Sequence, residues 1–334
     1  MGRFPGALVS GTAAANVAVP ALAGLLQSRV LLLSGKGGTG KTTVAMAMAR
    51  LAASQGRRTL VVELDAQRPS LGPILGRVPT YAPMVVSPGL SASNLTWAEA
   101  LDDWLKAVVG APRVVRSILK NRVVSLFLEA TPGARDLVVM TRVAQLAQEY
   151  DTVVVDMPAS GNAVAMLSVA HTAVQLFDNG PVRRCADALI ALYGRADTRV
   201  VLVALPEDMV VNETLETASK LAIEVAPLQL GIVVLNRATP PTLTESERSV
   251  LDALLARPRT DAATQEVLHA ARWERELEEA TADAQARLQA GVGVSVVTLP
   301  ALPRGEDAAR VVQHLAGILA RAGGLKLDTR GATP

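Results

Sequence analysis

The nonapeptide GKGGTGKTT at residues 35–43 restricts the fold more than any other stretch of this chain. Gly35, Gly40, Lys41 and Thr42 satisfy G-x-x-x-x-G-K-[ST], a spacing that carries meaning only between a strand and a helix. Both flanks comply. RVLLLS (29–34) is a continuous apolar run ending at a glycine, as expected of a strand covered on both faces. From Thr42 onward TTVAMAMARLAASQG takes up a helical period, with Gly56 placed to terminate it. Glycines in such a loop let successive backbone N–H groups turn inward, forming an anion nest at the positive end of the helix.

The same design recurs downstream. RTLVVELD (58–65), YDTVVVDMP (150–158), TRVVLVALP (198–206), LGIVVLNR (230–237) and GVSVVTLP (293–300) are aliphatic runs separated by helical stretches. This alternation predicts right-handed βαβ units and an α/β fold, a mostly parallel central sheet flanked by helices. Ligands in that architecture bind beyond the carboxyl ends of the strands, where the Gly35 loop, Asp65, Asp156 and Asn236 all fall. Residues 96–149 and 243–290 read as helical additions on that same edge. No Pro/Gly/Ser-rich linker sets them apart, so residues 29–320 are expected to form a single domain, between an N-terminal arm (1–28) and a C-terminal tail (321–334).

Lys and Arg total 33 against 31 Asp and Glu, and aromatic residues make up 3%. A nearly balanced charge supplies no global basic field, and few aromatics supply little base-stacking surface; no nucleic-acid partner is expected. The single cysteine, Cys185, excludes an intrachain disulfide and a Cys-only zinc or arsenite site within one subunit. A cytoplasmic location fits. ALVSGTAAANVAVPALAGLL (7–26) has the apolar character of a secretion signal without a clear cleavage region, and it runs almost directly into the first strand. An arm or helix is expected there, a secretion signal being the alternative. No apolar run reaches the roughly 18 residues of a membrane-spanning helix.

The loop residues assign chemistry. Gly35, Lys36, Gly37, Gly38, Thr39 and Gly40 would wrap the phosphates of ATP; Lys41 would reach the β- and γ-phosphates, Thr42 would ligate Mg²⁺, and Thr43 would bond the α-phosphate. A metal there needs a carboxylate at the end of a nearby strand. Asp156 suits that role through water, the competing reading being a turn cap beside Pro158. Asp65 ends the neighbouring strand and is the candidate to orient or deprotonate the attacking water. Capping a turn ahead of AQRPS is its alternative.

Lys36 is a second lysine in a loop that needs only Lys41. SGKGGTGKTT is similar to the deviant phosphate loop of the MinD/ParA/ArsA group of ATPases, and Lys36 matches its signature lysine. Within that group YDTVVVDMPASGN, VVLNR and TLPALPRGED resemble segments of the ArsA arsenical-pump ATPases and of the ATPases that target tail-anchored membrane proteins. The resemblance implies that Lys36 reaches across a dimer interface to the facing subunit's nucleotide, in the manner of an arginine finger, and that it shares catalysis with Asp65 and Lys41. It also implies that Asn236 reads the adenine, that Pro300 lines it, and that Ser160 and Gly161 form a switch.

The departures are equally specific. The family's DPA is DAQRP here, with proline displaced to position 69; Asn162 stands for the commoner histidine; and the paired zinc-binding cysteines and the arsenite-site cysteines are absent. With one phosphate loop and no internal repeat, the chain would pair with another copy or a related subunit. The function implied is a dimeric ATP-hydrolysing switch that couples subunit closure to a membrane-protein client or partner complex, peripheral at the inner face of a membrane. A MinD- or ParA-like positioning ATPase, or a catalytically weak nucleotide-binding subunit, are the alternatives. RSILKNRVVSLFLEA (116–130) is the candidate client surface, with core packing competing. Arg113, Arg116, Lys120 and Arg122 are the candidate lipid contacts, against a solvated helix face.

Overall fold

The computed structural model describes residues 20–64, 69–109, 133–256, 262–303 and 305–327. Its centre is an eight-stranded sheet formed by β1 (Val30–Ser34), β2 (Thr59–Leu64), β3 (Met84–Ser87), β4 (Leu90–Leu95), β5 (Thr152–Asp156), β6 (Thr198–Ala204), β7 (Gln229–Ala238) and β8 (Val296–Pro300). The strand order is β3-β4-β2-β5-β1-β6-β7-β8. Every pairing is parallel except the antiparallel β3–β4 edge. This is the α/β architecture of a P-loop nucleotide hydrolase. All five β1 side chains are buried, with Leu32 opposite Val155 of β5 and Val200 of β6. Burial on both faces is why β1 reads as an unbroken aliphatic run.

Helices cover the two faces unequally. One face takes α1 (Pro20–Leu25), α2 (Lys41–Ser54), α3 (Leu71–Leu75) and α11 (Ala308–Ala322). The other takes α4 (Trp97–Val109), α5 (Ala134–Glu149), α6 (Ser160–Leu176), α7 (Pro181–Tyr193), α8 (Asp208–Glu224) and the later turns of α10 (Ala262–Val292); α9 (Glu245–Leu255) leans on α10. α2 packs chiefly with small residues (Ala45, Ala47, Ala49, Ala52) beside Met46, Met48 and Leu51, all at most 2% exposed. Small side chains let that helix lie close to the sheet. Its start therefore falls at the carboxyl end of β1.

Three expectations change. The described parts of the 96–149 stretch, α4 and α5, lie on a face of the sheet. α4 and α5 pack on the sheet face as part of the crossover from β4 to β5, and Leu137, Val143 and Leu146 sit in the main core. Their apolar faces need that burial; residues 110–132, including the 116–130 segment and its basic cluster, lie outside the described residues. Second, β3 and β4 extend the sheet where no strand was expected. LSASNL carries mostly small and polar residues, so its burial leaves little hydrophobic periodicity to detect. Third, the 243–290 stretch divides. Thr281, Ala284 and Leu288 of α10 are buried, whereas Val267 and Trp273 stand 67% and 65% exposed.

The core also continues beyond residue 29 on one side and residue 320 on the other. Leu22 and Leu26 are fully buried, each worth roughly 1.5–3 kcal/mol of apolar burial. Leu325 and Leu327 pack on the same cluster, and the Lys326 carbonyl accepts a 2.6 Å bond from Gln55 Nε2.

Candidate active site

The 35–43 loop leaves β1 at a glycine that no other residue replaces comfortably. Gly35 has φ +146°, and a Cβ there would stand 2.2 Å from the Val203 carbonyl oxygen of β6. Gly38 and Gly40 also take positive φ, 84° and 89°, which only glycine adopts freely. Gly40 is the N-cap of α2 and offers no side chain to the helix's first N–H groups. These donors lack intrahelical partners, and with no acid in the first turn they form an uncompensated positive helix end. The loop is braced from inside. Thr39 Oγ1 and Lys41 Nζ both donate to the Lys36 carbonyl, at 2.9 and 3.3 Å.

Thr42 and Asp156 meet at the start of α2. The Thr42 hydroxyl donates to Asp156 Oδ2 at 2.5 Å, while Asp156 Oδ1 is buried without any hydrogen-bond partner. β5 delivers this carboxylate by pairing beside β1, Asp156 lying opposite Leu33. Burial pushes the Asp156 carboxyl up to about 6, helped by the nearby charge of Glu63 and opposed by the Thr42 bond and by Lys41. Lys41 is shifted the other way. Burial lowers its pKa, with Asp156 and Glu213 pulling it back up. A buried carboxylate and a partly buried ammonium thus stand beside an uncapped helix start, each in an environment that penalises its charge.

Across the loop, Asn236 at the carboxyl end of β7 is 5% exposed and donates from Nδ2 to the Thr39 carbonyl at 2.8 Å. It lies so close that a Cβ on Gly40 would meet Nδ2 at 2.5 Å. Asn236 therefore fastens the loop as well as standing at the ligand edge. Pro300 ends β8 opposite Ala238, two residues beyond Asn236 on the paired strand. Ser160, the first residue of α6, is buried and its N–H donates to the Gly35 carbonyl at 3.2 Å; Gly161 is exposed next to it. Thr43 follows in the first turn of α2. Asp65 lies outside the described residues.

Two acids at this edge were not singled out from sequence. Glu213 of α8 forms a 3.6 Å ion pair with Lys36, and its other oxygen accepts from the Ser160 hydroxyl. Nothing in an acid on an amphipathic helix distinguishes it beforehand. Glu63, 6% exposed on β2, accepts from the Ser70 and Leu71 N–H groups at 2.7 and 3.3 Å, capping α3. An acid inside the apolar run TLVVEL did carry a signal, because a buried carboxylate requires donors.

The donor set suits a triphosphate with a hard divalent cation. The helix start and glycine cradle could offer N–H groups to phosphate oxygens, and the Thr42 hydroxyl with the unpartnered Asp156 oxygen could supply oxygen ligation of the kind Mg²⁺ takes directly or through water.

Comparison with known proteins finds ATPases. Residues 28–180 match the anion-transporting ATPase family. ATPase BagA of Mycobacterium tuberculosis is 28% identical over 228 residues, 64% of this chain and 66% of that protein. An uncharacterised Streptomyces coelicolor protein is 38% identical over 172 residues, 50% of this chain and 44% of its own. An arsenical pump-driving ATPase of Acidiphilium multivorum is 26% identical over 250 residues, 67% of this chain and 42% of its own. The chain thus spans just under two thirds of BagA and less than half of the other two.

Proposed function

We propose that this chain, which carries an anion-transporting ATPase domain over residues 28–180, binds ATP with Mg²⁺ at the 35–43 loop, hydrolyses it, and uses it to close against a second copy or a related subunit. One observation carries the reading: a buried Asp156 with an unpartnered oxygen, bonded to Thr42 at the uncapped start of α2. A charge-penalised carboxylate in that place has a use only if a cation arrives.

The N–H groups of Gly35 through Gly40 and the first turn of α2 hold the phosphates, Thr43 among them, and Lys41 neutralises the β- and γ-phosphates. Thr42 and Asp156 hold Mg²⁺, Asp156 through water. Bound there, the cation would supply Lewis-acid stabilisation of the phosphate charge. Asp65 orients the attacking water and takes its proton. Asn236 and Pro300 face the adenine, Asn236 doing so from a position already fixed by its Thr39 bond. Ser160 and Gly161, next to Asp156 and in contact with the loop through the Gly35 carbonyl, report the state of the site to α6.

Lys36 has no cis role that Lys41 does not already fill. Its service is to a facing protomer, where it would neutralise charge developing between the phosphates. Partner closure would then couple the ATP cycle to a membrane-protein client or complex from the cytoplasmic side. The protein would dock peripherally; no described helix is long and apolar enough to cross a membrane. Within this scheme residues 29–320 act as one ATPase unit. The test is sedimentation with Mg²⁺ and a non-hydrolysable ATP analogue. A shift to dimer that Lys36→Ala weakens is expected, and no shift at any concentration would refute the scheme.

A further inference from the structure

Glu213 has no part in the reading above, yet both oxygens of its carboxylate have partners at the loop. One oxygen pairs with Lys36 Nζ at 3.6 Å, and the other accepts the hydroxyl of buried Ser160. It also pulls on Lys41 electrostatically. The acid thus joins three elements: the phosphate loop, the start of α6 after Asp156, and α8 after β6.

We propose that Glu213 is a positioning residue for Lys36, a latch within one subunit that holds the ammonium until a facing protomer takes it. The inference rests on Lys36 acting across the interface. An ammonium paired with Glu213 of its own chain is committed to that carboxylate, and reaching the partner's phosphates requires the pair to open. Both side chains are about one third exposed, Lys36 at 37% and Glu213 at 35%, so the pair is weak enough to exchange. Water screens ion pairs of this exposure to a modest contribution.

The Ser160 bond gives the latch its trigger. Ser160 begins α6 four residues after Asp156, and its N–H bonds the Gly35 carbonyl. Thr42 and Asp156, on holding a cation and nucleotide, would load the segment that carries Ser160. A shift of that segment moves the hydroxyl that shares the carboxylate with Lys36. Nucleotide occupancy and lysine release are then coupled through one side chain, and a protomer without nucleotide keeps its lysine to itself.

The test is Glu213→Gln, which keeps the size and the Ser160 acceptor and removes the charge. Analytical ultracentrifugation with Mg²⁺ and a non-hydrolysable ATP analogue is expected to show a dimer dissociation constant lowered about three- to fivefold from the wild type, the scale of a half-exposed ion pair. In a Lys36→Ala background the same substitution is expected to change nothing, which a merely structural role for Glu213 would not produce. Glu213→Ala, checked for folding by circular dichroism, is expected to move the constant in the same direction should the Gln variant not fold. Dimerisation unchanged or weakened by loss of the charge, or strengthened equally without Lys36, overturns the latch. Lys36→Ala dimerising like the wild type would instead overturn the trans reading beneath it.

Discussion

Asp156→Asn should make the nucleotide-free protein more stable at neutral pH while removing its response to Mg²⁺. The carboxyl is 7% exposed, and its pKa stands at about 6 rather than 3.8 because burial disfavours the charge. Holding it ionised in the folded state therefore costs about 3 kcal/mol at neutral pH. Asparagine keeps the volume and can still bond Thr42, but it leaves one polar atom at the site of the unpartnered Oδ1, a penalty of roughly 1–2 kcal/mol. The net gain expected at pH 7.5 is about 1–2 kcal/mol, a rise of about 1–3 °C in Tm.

The pH dependence fixes the cause. Between about 6 and 3.8 the folded state binds the Asp156 proton and the unfolded chain does not, so the wild type regains stability as pH falls through that window. From pH 7.5 to 5 it should recover on the order of 1 kcal/mol relative to the variant. Urea titrations of both proteins at the two pH values measure this, and thermal shifts with ATP, with and without Mg²⁺, measure the lost cation response. A variant less stable than the wild type at pH 7.5, by the same margin at pH 5, would refute the argument.

Other substitutions probe the loop. Lys41→Ala should abolish ATP binding by calorimetry, since it removes the ammonium that bonds the Lys36 carbonyl and feels the charge of Asp156; retained affinity would displace the phosphate assignment. Gly35→Ala places a Cβ 2.2 Å from the Val203 carbonyl and should destabilise the fold by at least roughly 1–3 kcal/mol, read from urea midpoints. A neutral effect would mean that the β1–β6 contact yields more readily than its geometry indicates.

Periodicity made the middle of the sheet legible, because strands buried on both faces cannot avoid long aliphatic runs. β1, β2, β5, β6 and β7 announce themselves this way, and the glycine loop with Asp156 and Asn236 falls at their carboxyl ends. The edge was not legible. β4 buries Ser93 and Asn94 and carries no such run, and β3 is short and half-covered. α4 and α5 have the amphipathic pattern of any surface helix, and sequence alone does not say whether the sheet or a partner covers the apolar side. The same limit applies at the site. Motif spacing exposed Lys36 and Thr42, whereas Glu213 reaches Lys36 only through the tertiary placement of α8, far along the chain. Glu63 lay open to inference as a charge inside an apolar strand.

The central claim is that Lys36 completes the nucleotide site of a neighbouring subunit, and mixing two crippled proteins tests it most directly. Lys36→Ala protomers keep a phosphate-binding lysine, and Lys41→Ala protomers keep the lysine to be lent; each preparation alone should show little ATPase activity. Combined in equal amounts, they should recover a substantial part of wild-type turnover, from dimers in which one protomer holds ATP and the other supplies Lys36. A mixture as inactive as its components, although the two proteins co-sediment, would contradict the account.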